Sequence, residues 1–411
     1  MACFIPLERL IQDNEDKIQV KSMIKNKVSS SGVSFIRIVL TIMIITFSIR
    51  ASNNMLTTSV PLLVKYYFGF SETEVGLIAA LLSFTTFLTT ALLNAKLSAD
   101  KRRIAFIASN FIYLLVFLGI WISNFYSIWV LAAVMGVLLG FIMPNIITAA
   151  GLFNDSKTRD RILAIYTVVL SFSLIIGPLI ESELLKFVDI REAFLIFASF
   201  GFVSFVLSPF MKFPVEKKKK VKIKVFSNYG FRSAVFNIMA YNIPFAVLIA
   251  FAGIYEKDTF NISFSLVTLV FSLFFLTSFL SRIYLSVKPP HNIKFVMNGT
   301  IILTFIGITV MILSKNLEIF IVSFMLLGIP HGFAYPISII TIGRSFKDKF
   351  RNAANSYFFA IMMAVGVLLP TLSGFSIDNV GFKLTFVFIA LLILVLLVLN
   401  NINFRKWKIN V

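Results

Sequence analysis

The stretch "IRIVLTIMIITFSIRASNNMLTTSV" (residues 36–60) is long enough to cross a lipid bilayer, and it carries an arginine near its middle. A hydrocarbon core about 30 Å thick is crossed by roughly 20 helical residues. Because no water is present there to bind backbone groups, the segment is expected to be α-helical. The fold class then depends on how often such stretches recur.

Apolar stretches of this length recur along all 411 residues, and the chain is 58% hydrophobic with only 14% charged residues. Soluble domains carry about 25% charged residues, so this composition excludes that class. We predict an all-α polytopic membrane protein with twelve transmembrane helices. The expected spans are residues 36–60, 74–95, 104–123, 127–150, 162–183, 193–211, 231–254, 263–281, 295–313, 319–343, 354–374 and 383–403.

Lysine and arginine are unevenly distributed between the two sides that these spans define. The side of the two termini holds 31 of the 38, the opposite side holds six, and Arg50 lies inside a span. Cytoplasmic loops of membrane proteins carry such an excess. We therefore predict a multi-pass protein of the plasma membrane with both termini cytoplasmic. This bias also explains the net charge of +19, so no nucleic-acid partner is expected.

A basic segment containing "EKKKKVKIK" (216–224) divides the spans into six and six. The expected domains are a cytoplasmic tail (1–33), an N-terminal bundle (34–211), a basic linker (212–229), a C-terminal bundle (230–404) and a second tail (405–411). Within the first tail, "FIPLERLIQ" (4–12) is either a short interfacial helix or disordered. The lone cysteine, Cys3, excludes an internal disulfide and a multi-cysteine metal site.

The two halves of the chain are related by an internal repeat. "GFIMPNIITAAGLFNDSKTRDR" (140–161) matches "GFAYPISIITIGRSFKDKFRNA" (332–353) at a constant offset of 192. The offset aligns Gly140 with Gly332, Phe141 with Phe333, Pro144 with Pro336, Gly151 with Gly343, Lys157 with Lys349, Arg159 with Arg351, and Pro178 with Pro370. We therefore expect two pseudo-symmetric six-helix bundles, related by an axis along the membrane normal.

Four motifs in order resemble those of the major facilitator superfamily of twelve-helix transporters, over about residues 34–404. They are "FGFSETEVGLIAALLSF" (68–84), "LSADKRR" (97–103), "RDRILAIY" (159–166) followed by "IIGPLIES" (175–182), and "GIPHGFAYP" (328–336). The second lacks the glycines of the family's signature between helices 2 and 3, and helix 4 lacks the family's early basic residue.

This resemblance implies alternating access, in which the two bundles rock about one central site. It also implies an inner gate in which Asp100 acts with Lys101, Arg102 and Arg103. The alternative interpretation of the three bases is plain topological charge.

Arg50 is the first candidate for the central site. It lies about 21 Å into its span, at 1.5 Å per residue. The same helical face carries Thr46 before it and Asn53, Asn54 and Thr57 after it. Since an arginine at mid-bilayer costs at least about 2.5–3.5 kcal/mol, it should face the protein interior or a water-filled cavity.

Glu181 is the only acidic residue expected well inside a span. Two interpretations stay open, namely a structural ion pair with Arg50 and a proton-coupling carboxylate. A third is a plain charge at the outer rim. Span 8 is expected to end at residue 281, which places Arg282 among the inner-side charges.

Further polar groups fall within the spans that line the cavity in the family resembled. They are Asn145 after Pro144, Asn237, Tyr241 and Asn242 before Pro244, and His331 with Tyr335 one turn later. The offset places Asn242 opposite Arg50. His331 is a candidate proton relay, or alternatively a structural hydrogen-bonding residue.

The sequence therefore predicts a secondary active transporter for a small organic solute. An anion held by Arg50 is favoured, and proton coupling through Glu181 or His331 is a hypothesis. The alternatives are a multidrug or amphiphile exporter and a non-transporting membrane sensor or assembly protein. No enzyme activity, cofactor or metal is expected, and the protein is expected to be monomeric.

Overall fold

The structure is a computed structural model that describes residues 7–151, 155–213, 224–288 and 290–409. Side chains are described between residues 36 and 407, apart from these gaps and residues 156, 157, 348, 349 and 352. Most of the predicted linker, the first residues of the N-terminal tail, and residues 410–411 lie outside the described residues.

Long apolar helices make up the described chain. The first, α1 (Leu7–Phe68), has its membrane-spanning part at Ile36–Phe68. The others are α2 (Glu72–Leu88), α3 (Ala99–Trp121), α4 (Ser127–Ala150), α5 (Ser156–Leu184), α6 (Ile190–Leu207), α7 (Tyr229–Phe260), α8 (Phe264–Val287), α9 (Ile293–Leu313), α10 (Leu317–Ser345) and α11 (Asp348–Ile409).

The last helix contains two membrane spans. Its apolar part, Ala353–Trp407, has 55 residues, which at 1.5 Å per residue is about 80 Å and far exceeds one bilayer. Gly381 interrupts it with φ 78° and ψ 167°, a backbone conformation open to glycine. Residues 353–380 and 382–407 are therefore separate spans, and the prediction of twelve transmembrane helices is confirmed for the described chain.

Several helices extend beyond their predicted ends, which changes what lies inside the membrane. Helix α1 continues through Pro61 to Phe68, α7 reaches Phe260, and α8 reaches Val287. The predicted spans end at residues 60, 254 and 281, which leaves Glu256 and Arg282 outside them. Glu256 and Arg282 instead lie inside helices, because the neighbouring residues remain helical beyond them.

The repeat is visible in how the helices pack. In the first bundle α1 contacts α5 and α2 contacts α4; in the second, α7 contacts α11 and α8 contacts α10. Gly136 and Gly328, which are 192 residues apart, lie at equivalent close approaches. A Cβ on Gly136 would lie 2.4 Å from the Leu82 carbonyl oxygen, and one on Gly328 would lie 2.3 Å from that of Phe274. Only glycine permits helices this close.

The two bundles meet through α2 against α11 and through α5 against α8. We call the end where α1 finishes and α2 begins the outer end, following the orientation predicted from charge. The opposite end, where α2 finishes and α3 begins, is the inner end. These names are used below to place the candidate site.

Candidate functional site

Arg50 lies on α1 in the central part of its span, partly buried. Its Nη2 donates a hydrogen bond to the Tyr166 hydroxyl of α5 at 3.2 Å, while its Nε is buried without a partner. Tyr166 is itself buried. The guanidinium therefore faces α5 and the protein interior rather than lipid.

Close packing between α1 and α5 holds Arg50 in this position. A Cβ on Gly177 would lie 2.8 Å from the Ala51 carbonyl oxygen, so the glycine of the "GP" pair lets α5 approach α1 next to Arg50. One turn further along α1, Asn54 donates from Nδ2 to the Leu174 carbonyl at 3.0 Å. Asn54 thus fixes the register of the two helices beside the arginine.

Arg282 is a second arginine at the interface between the bundles, and the sequence prediction missed it. Its Nη1 donates to the Ser171 hydroxyl of α5 at 3.1 Å, across the bundle boundary, and its Nε is buried without a partner. One sequence signal could have identified it. The residues after Arg282, "IYLSV", continue the apolar helix for more than one turn.

Three tyrosines lie near the two arginines. Arg282 lies within electrostatic range of Arg50 and of the hydroxyl groups of Tyr241 and Tyr335. Tyr335 in turn lies within range of Tyr166. Both bundles therefore contribute to one cluster, which we call the central cluster: Arg50, Tyr166, Ser171, Tyr241, Arg282, His331 and Tyr335.

Carboxylates are missing from the central cluster. Among residues with described side chains, neither Arg50 nor Arg282 forms an ion pair. Glu181 is fully buried between α1 and α5, where its Oε1 accepts a hydrogen bond from Ser59 and its Oε2 has no described partner. The Arg50–Glu181 ion pair is thus not formed, because the two side chains reach different partners. Full burial also excludes the rim-charge interpretation of Glu181.

His331 is enclosed by aromatic rings. Its ring centroid lies 4.7 Å from that of Phe245, 5.3 Å from Phe274 and 5.4 Å from Tyr241. Its Nδ1 hydrogen bonds with the Ser278 hydroxyl at 2.7 Å. Tyr335, one turn away, is 41% exposed and lies within electrostatic range of Tyr166 in the other bundle. Tyr335 is therefore the most exposed of the three tyrosines of the central cluster.

Four of the five asparagines of the prediction form hydrogen bonds within their own bundles. Asn145 donates to Asn94 Oδ1 at 2.9 Å, and Asn237 donates to the Ala334 carbonyl and to Ser338 at 3.0 Å each. Asn242 donates to the Met362 carbonyl at 3.2 Å, just as Asn54 does to Leu174. By its contact, Asn242 matches Asn54 rather than Arg50. Asn53 is half-buried on α1.

The predicted gate residues lie at the inner end of α3. Asp100 and Lys101 are exposed, Arg102 is buried, and Arg103 donates to the Pro209 carbonyl at 2.9 Å. Arg103 thereby connects to the end of α6, within the N-terminal bundle. The gate role of these four residues stays a prediction.

Hydrogen bonds between the bundles are concentrated toward the outer end. The Asp378 carboxylate accepts from the backbone N–H groups of Glu72 and Thr73, at 3.0 and 2.8 Å, and from the Thr73 hydroxyl. Ser182 and Ser265 exchange two bonds, each hydroxyl donating to the other's carbonyl at 2.7 and 2.8 Å. The bundles are therefore joined at the outer end.

A second buried acid, Glu256, was also missed because α7 was expected to end before it. Glu256 is fully buried near the outer end of α7, and neither carboxylate oxygen has a described hydrogen-bond partner. It does not belong to the central cluster as defined above.

Comparison with known proteins identifies the family. The sequence profile of the Major Facilitator Superfamily matches residues 42–288 and 226–405, which together cover most of the chain. The chain therefore belongs to the Major Facilitator Superfamily, a class of membrane transporters. No curated protein sequence matches it.

Solved structures share the fold at low identity. A bacterial homologue of the human lysosomal transporter Spinster, inward-facing and occupied, has a TM-score of 0.70 and 13% identity, covering 89% of this chain and 96% of that one. The nucleoside transporter NupG has a TM-score of 0.70 and 16% identity, covering 90% and 99%. A peptide transporter, POT, bound to sulfate has a TM-score of 0.72 and 12% identity, covering 90% and 94%.

The side chains of the central cluster are mainly hydrogen-bond donors. Each of the two guanidinium groups is planar, permanently charged and carries parallel N–H donors. The tyrosine and serine hydroxyls add neutral donors. Such a set complements a carboxylate or a phosphate group, which arginine binds through two parallel hydrogen bonds. It offers little to a cation.

Proposed function

We propose that the protein is a secondary active transporter that moves a small organic anion across the plasma membrane by alternating access. One observation carries the proposal: Arg50 and Arg282 come from opposite bundles into one cluster that contains no described carboxylate. An anion between them would contact both bundles at once.

Energetics support an anionic solute. A guanidinium at mid-membrane costs at least about 2.5–3.5 kcal/mol, and the central cluster contains two that repel each other. A buried charge is tolerated when it is paired and hydrogen-bonded. Since the described residues supply only hydroxyl partners, the remaining counter-charge comes from the solute.

The arrangement of the bundles supports alternating access. The bundles are joined at the outer end through Asp378 and Ser182, while Tyr335 in the central cluster is exposed. We infer that this conformation admits solute from the cytoplasmic side, with both termini cytoplasmic. The opposite conformation would break the outer contacts and close the predicted gate around Asp100 to Arg103.

For the individual residues we propose the following roles. Arg50 and Arg282 bind the anionic group, and Tyr166, Tyr241 and Tyr335 orient it through their hydroxyls. His331 shapes the aromatic side of the site. Glu181 is our proposed proton-coupling group, because its Oε2 is buried without a donor and its ionised form is poorly stabilised there.

Counterflow in proteoliposomes tests the proposal. Vesicles containing the full-length protein are loaded with one unlabelled compound, and entry of the same labelled compound is measured. The compounds are inorganic phosphate, glycerol 3-phosphate, succinate, citrate, benzoate and the amphiphilic cation tetraphenylphosphonium. We expect exchange of at least one anion and none of the cation.

The same panel separates the alternatives. Exchange of the cation alone would instead identify an amphiphile exporter. No exchange of any compound, by protein that is folded and correctly inserted, would favour a non-transporting membrane protein.

A further inference from the structure

Three basic side chains converge on a cavity at the inner end, apart from the central cluster. Arg37 comes from the start of the α1 span, Arg103 from the first turns of α3, and Lys212 from the segment after α6. The cavity measures about 230 Å³. Its remaining lining is Ile38, Thr41, Pro209, Phe210 and Met211.

The end of α6 builds the floor of this cavity. Helix α6 stops at Leu207, and a single 3₁₀ turn, Ser208–Phe210, follows. Arg103 donates to the Pro209 carbonyl at 2.9 Å, and Met211 is buried behind the turn. The chain is thereby held so that Lys212 emerges beside Arg37 and Arg103.

Among the described residues, no acidic side chain lines the cavity to balance its three positive charges. All three basic residues are exposed, and none of the lining residues is acidic. Neither Arg37 nor Lys212 has a side-chain hydrogen bond or ion pair among the described contacts. Three like charges around one small concavity create a positive potential that attracts an anion.

The surface beside the cavity is apolar and faces outward. Along α1, Ile36, Leu40 and Ile44 are 59%, 50% and 42% exposed, and their spacing of four residues places them on one face. Phe210 at the cavity and Ile104 on α3 are also exposed. An anionic group bound in the cavity would therefore lie directly against surface that contacts hydrocarbon chains.

We propose that this cavity binds the phosphate headgroup of an anionic phospholipid in the inner leaflet. The phosphate accepts charge-assisted hydrogen bonds from Arg37, Arg103 and Lys212. The acyl chains follow the Ile36–Leu40–Ile44 stripe of α1. Basic pockets between helices on the cytoplasmic side suit such headgroups. The lipid connects α1, α3 and the end of α6, and its binding is independent of the transported solute.

Native mass spectrometry of the full-length protein in detergent tests this site. Phosphatidylglycerol and phosphatidylcholine are titrated separately into wild-type protein and into a triple variant with Arg37→Gln, Arg103→Gln and Lys212→Gln. The matched control carries Lys101→Gln, Arg161→Gln and Lys288→Gln, three exposed bases outside the cavity. A thermal melt without lipid checks that each variant is folded.

We expect phosphatidylglycerol, but not phosphatidylcholine, to bind the wild type, with about tenfold weaker binding to the cavity variant and less than about twofold change in the control. Arg37→Gln alone, which removes no described contact, should weaken binding severalfold. Equal losses in both triple variants would overturn the proposal in favour of general surface charge. Displacement of the lipid by millimolar inorganic phosphate would overturn it in favour of a free-anion site.

Discussion

The two bundles contact each other differently at the outer end and at the centre. At the outer end, the Asp378 carboxylate receives three donors from the start of α2, and Ser182 and Ser265 satisfy each other. At the centre, Arg50 and Arg282 each have one hydroxyl partner and a buried Nε without one.

In our proposal, this difference separates contacts that close the protein from groups that bind the solute. The outer contacts are complete within the chain, so they favour the present conformation without any solute. The central cations are incomplete, and removing the rest of their solvent without a counter-ion would be costly. The predictions below alter one region or the other.

The largest effect is expected from removing a central arginine. Arg50→Gln and Arg282→Gln should each lower anion counterflow by about 100-fold, because arginine makes paired charge-assisted bonds contributing about 1.5–3 kcal/mol each. Arg282→Lys should keep part of the activity, since the positive charge remains but the two parallel N–H donors of the guanidinium are lost. The assay is the initial rate of counterflow in proteoliposomes.

Arg161→Gln provides the control, because Arg161 is an exposed base at the inner end of α5. It should retain the wild-type rate. Full activity in both Arg50→Gln and Arg282→Gln would show that these arginines do not bind the solute.

The next effect is expected from forcing the outer end apart. A Cβ on Gly374 would lie 2.2 Å from the Glu72 carbonyl oxygen, so Gly374→Val cannot be accommodated without separating α11 from α2. We expect the outer ends to move apart and transport to fall more than about tenfold, as overpacking at such a contact costs typically 1–3 kcal/mol. Electron–electron distance measurements between labels at Phe187 and Lys315, in a Cys3→Ser background, report the separation.

Gly299→Val is the matched control for this variant. No heavy atom lies within 4 Å of a Cβ at Gly299. Its label distances should equal those of the wild type. An unchanged distance in Gly374→Val would show that the α2–α11 contact does not set the conformation.

Asp378→Asn is expected to cause a smaller change in the population whose outer end is separated. The amide keeps one acceptor oxygen but loses the charge that strengthens the bonds to Glu72, Thr73 and the α2 N-terminus. We expect the population with a separated outer end to rise by about tenfold, corresponding to about 1.4 kcal/mol. The same labels at Phe187 and Lys315 measure it.

Asp189→Asn controls for removing a helix-capping carboxylate at the outer end. Asp189 caps α6 and bonds with Tyr67, both within the N-terminal bundle. It should leave the population unchanged. A similar shift in both variants would mean that outer charge in general, rather than the bond between bundles, controls closure.

The fold could be predicted from the sequence because apolar length and the repeat are local signals. Gly140 and Gly332, which the offset of 192 pairs, lie at equivalent close approaches: a Cβ on Gly140 would lie 2.9 Å from the Thr86 carbonyl oxygen, and one on Gly332 would lie 2.5 Å from that of Ser278. The twelve spans followed from hydropathy. Helix ends were less accurate, since Glu256 and Arg282 were assumed to lie outside the membrane. A single charge within an apolar helix shifts a hydropathy boundary even when the helix continues.

The site was predicted only partly, because side-chain partners depend on tertiary packing. The polar face of α1 correctly indicated that Arg50 points inward. Its pairing with Glu181 was geometrically reasonable, but Ser59 lies nearer to that carboxylate in the folded protein. Nothing in the sequence shows that α5 supplies hydroxyl groups to both arginines.

Glu181 lies on α5 next to Ser182, outside the central cluster, and its replacement should have the smallest effect on exchange. In Glu181→Gln the amide oxygen can still accept the Ser59 hydrogen bond, so counterflow should stay within about twofold of wild type.

Counterflow needs no net proton movement, whereas uphill uptake driven by an imposed proton gradient does. If Glu181 carries the coupled proton, its removal abolishes stimulation by the gradient and leaves exchange intact. Stimulation that persists in Glu181→Gln would exclude Glu181 as the coupling group, and the proposal of an anion site at Arg50 and Arg282 would be unaffected.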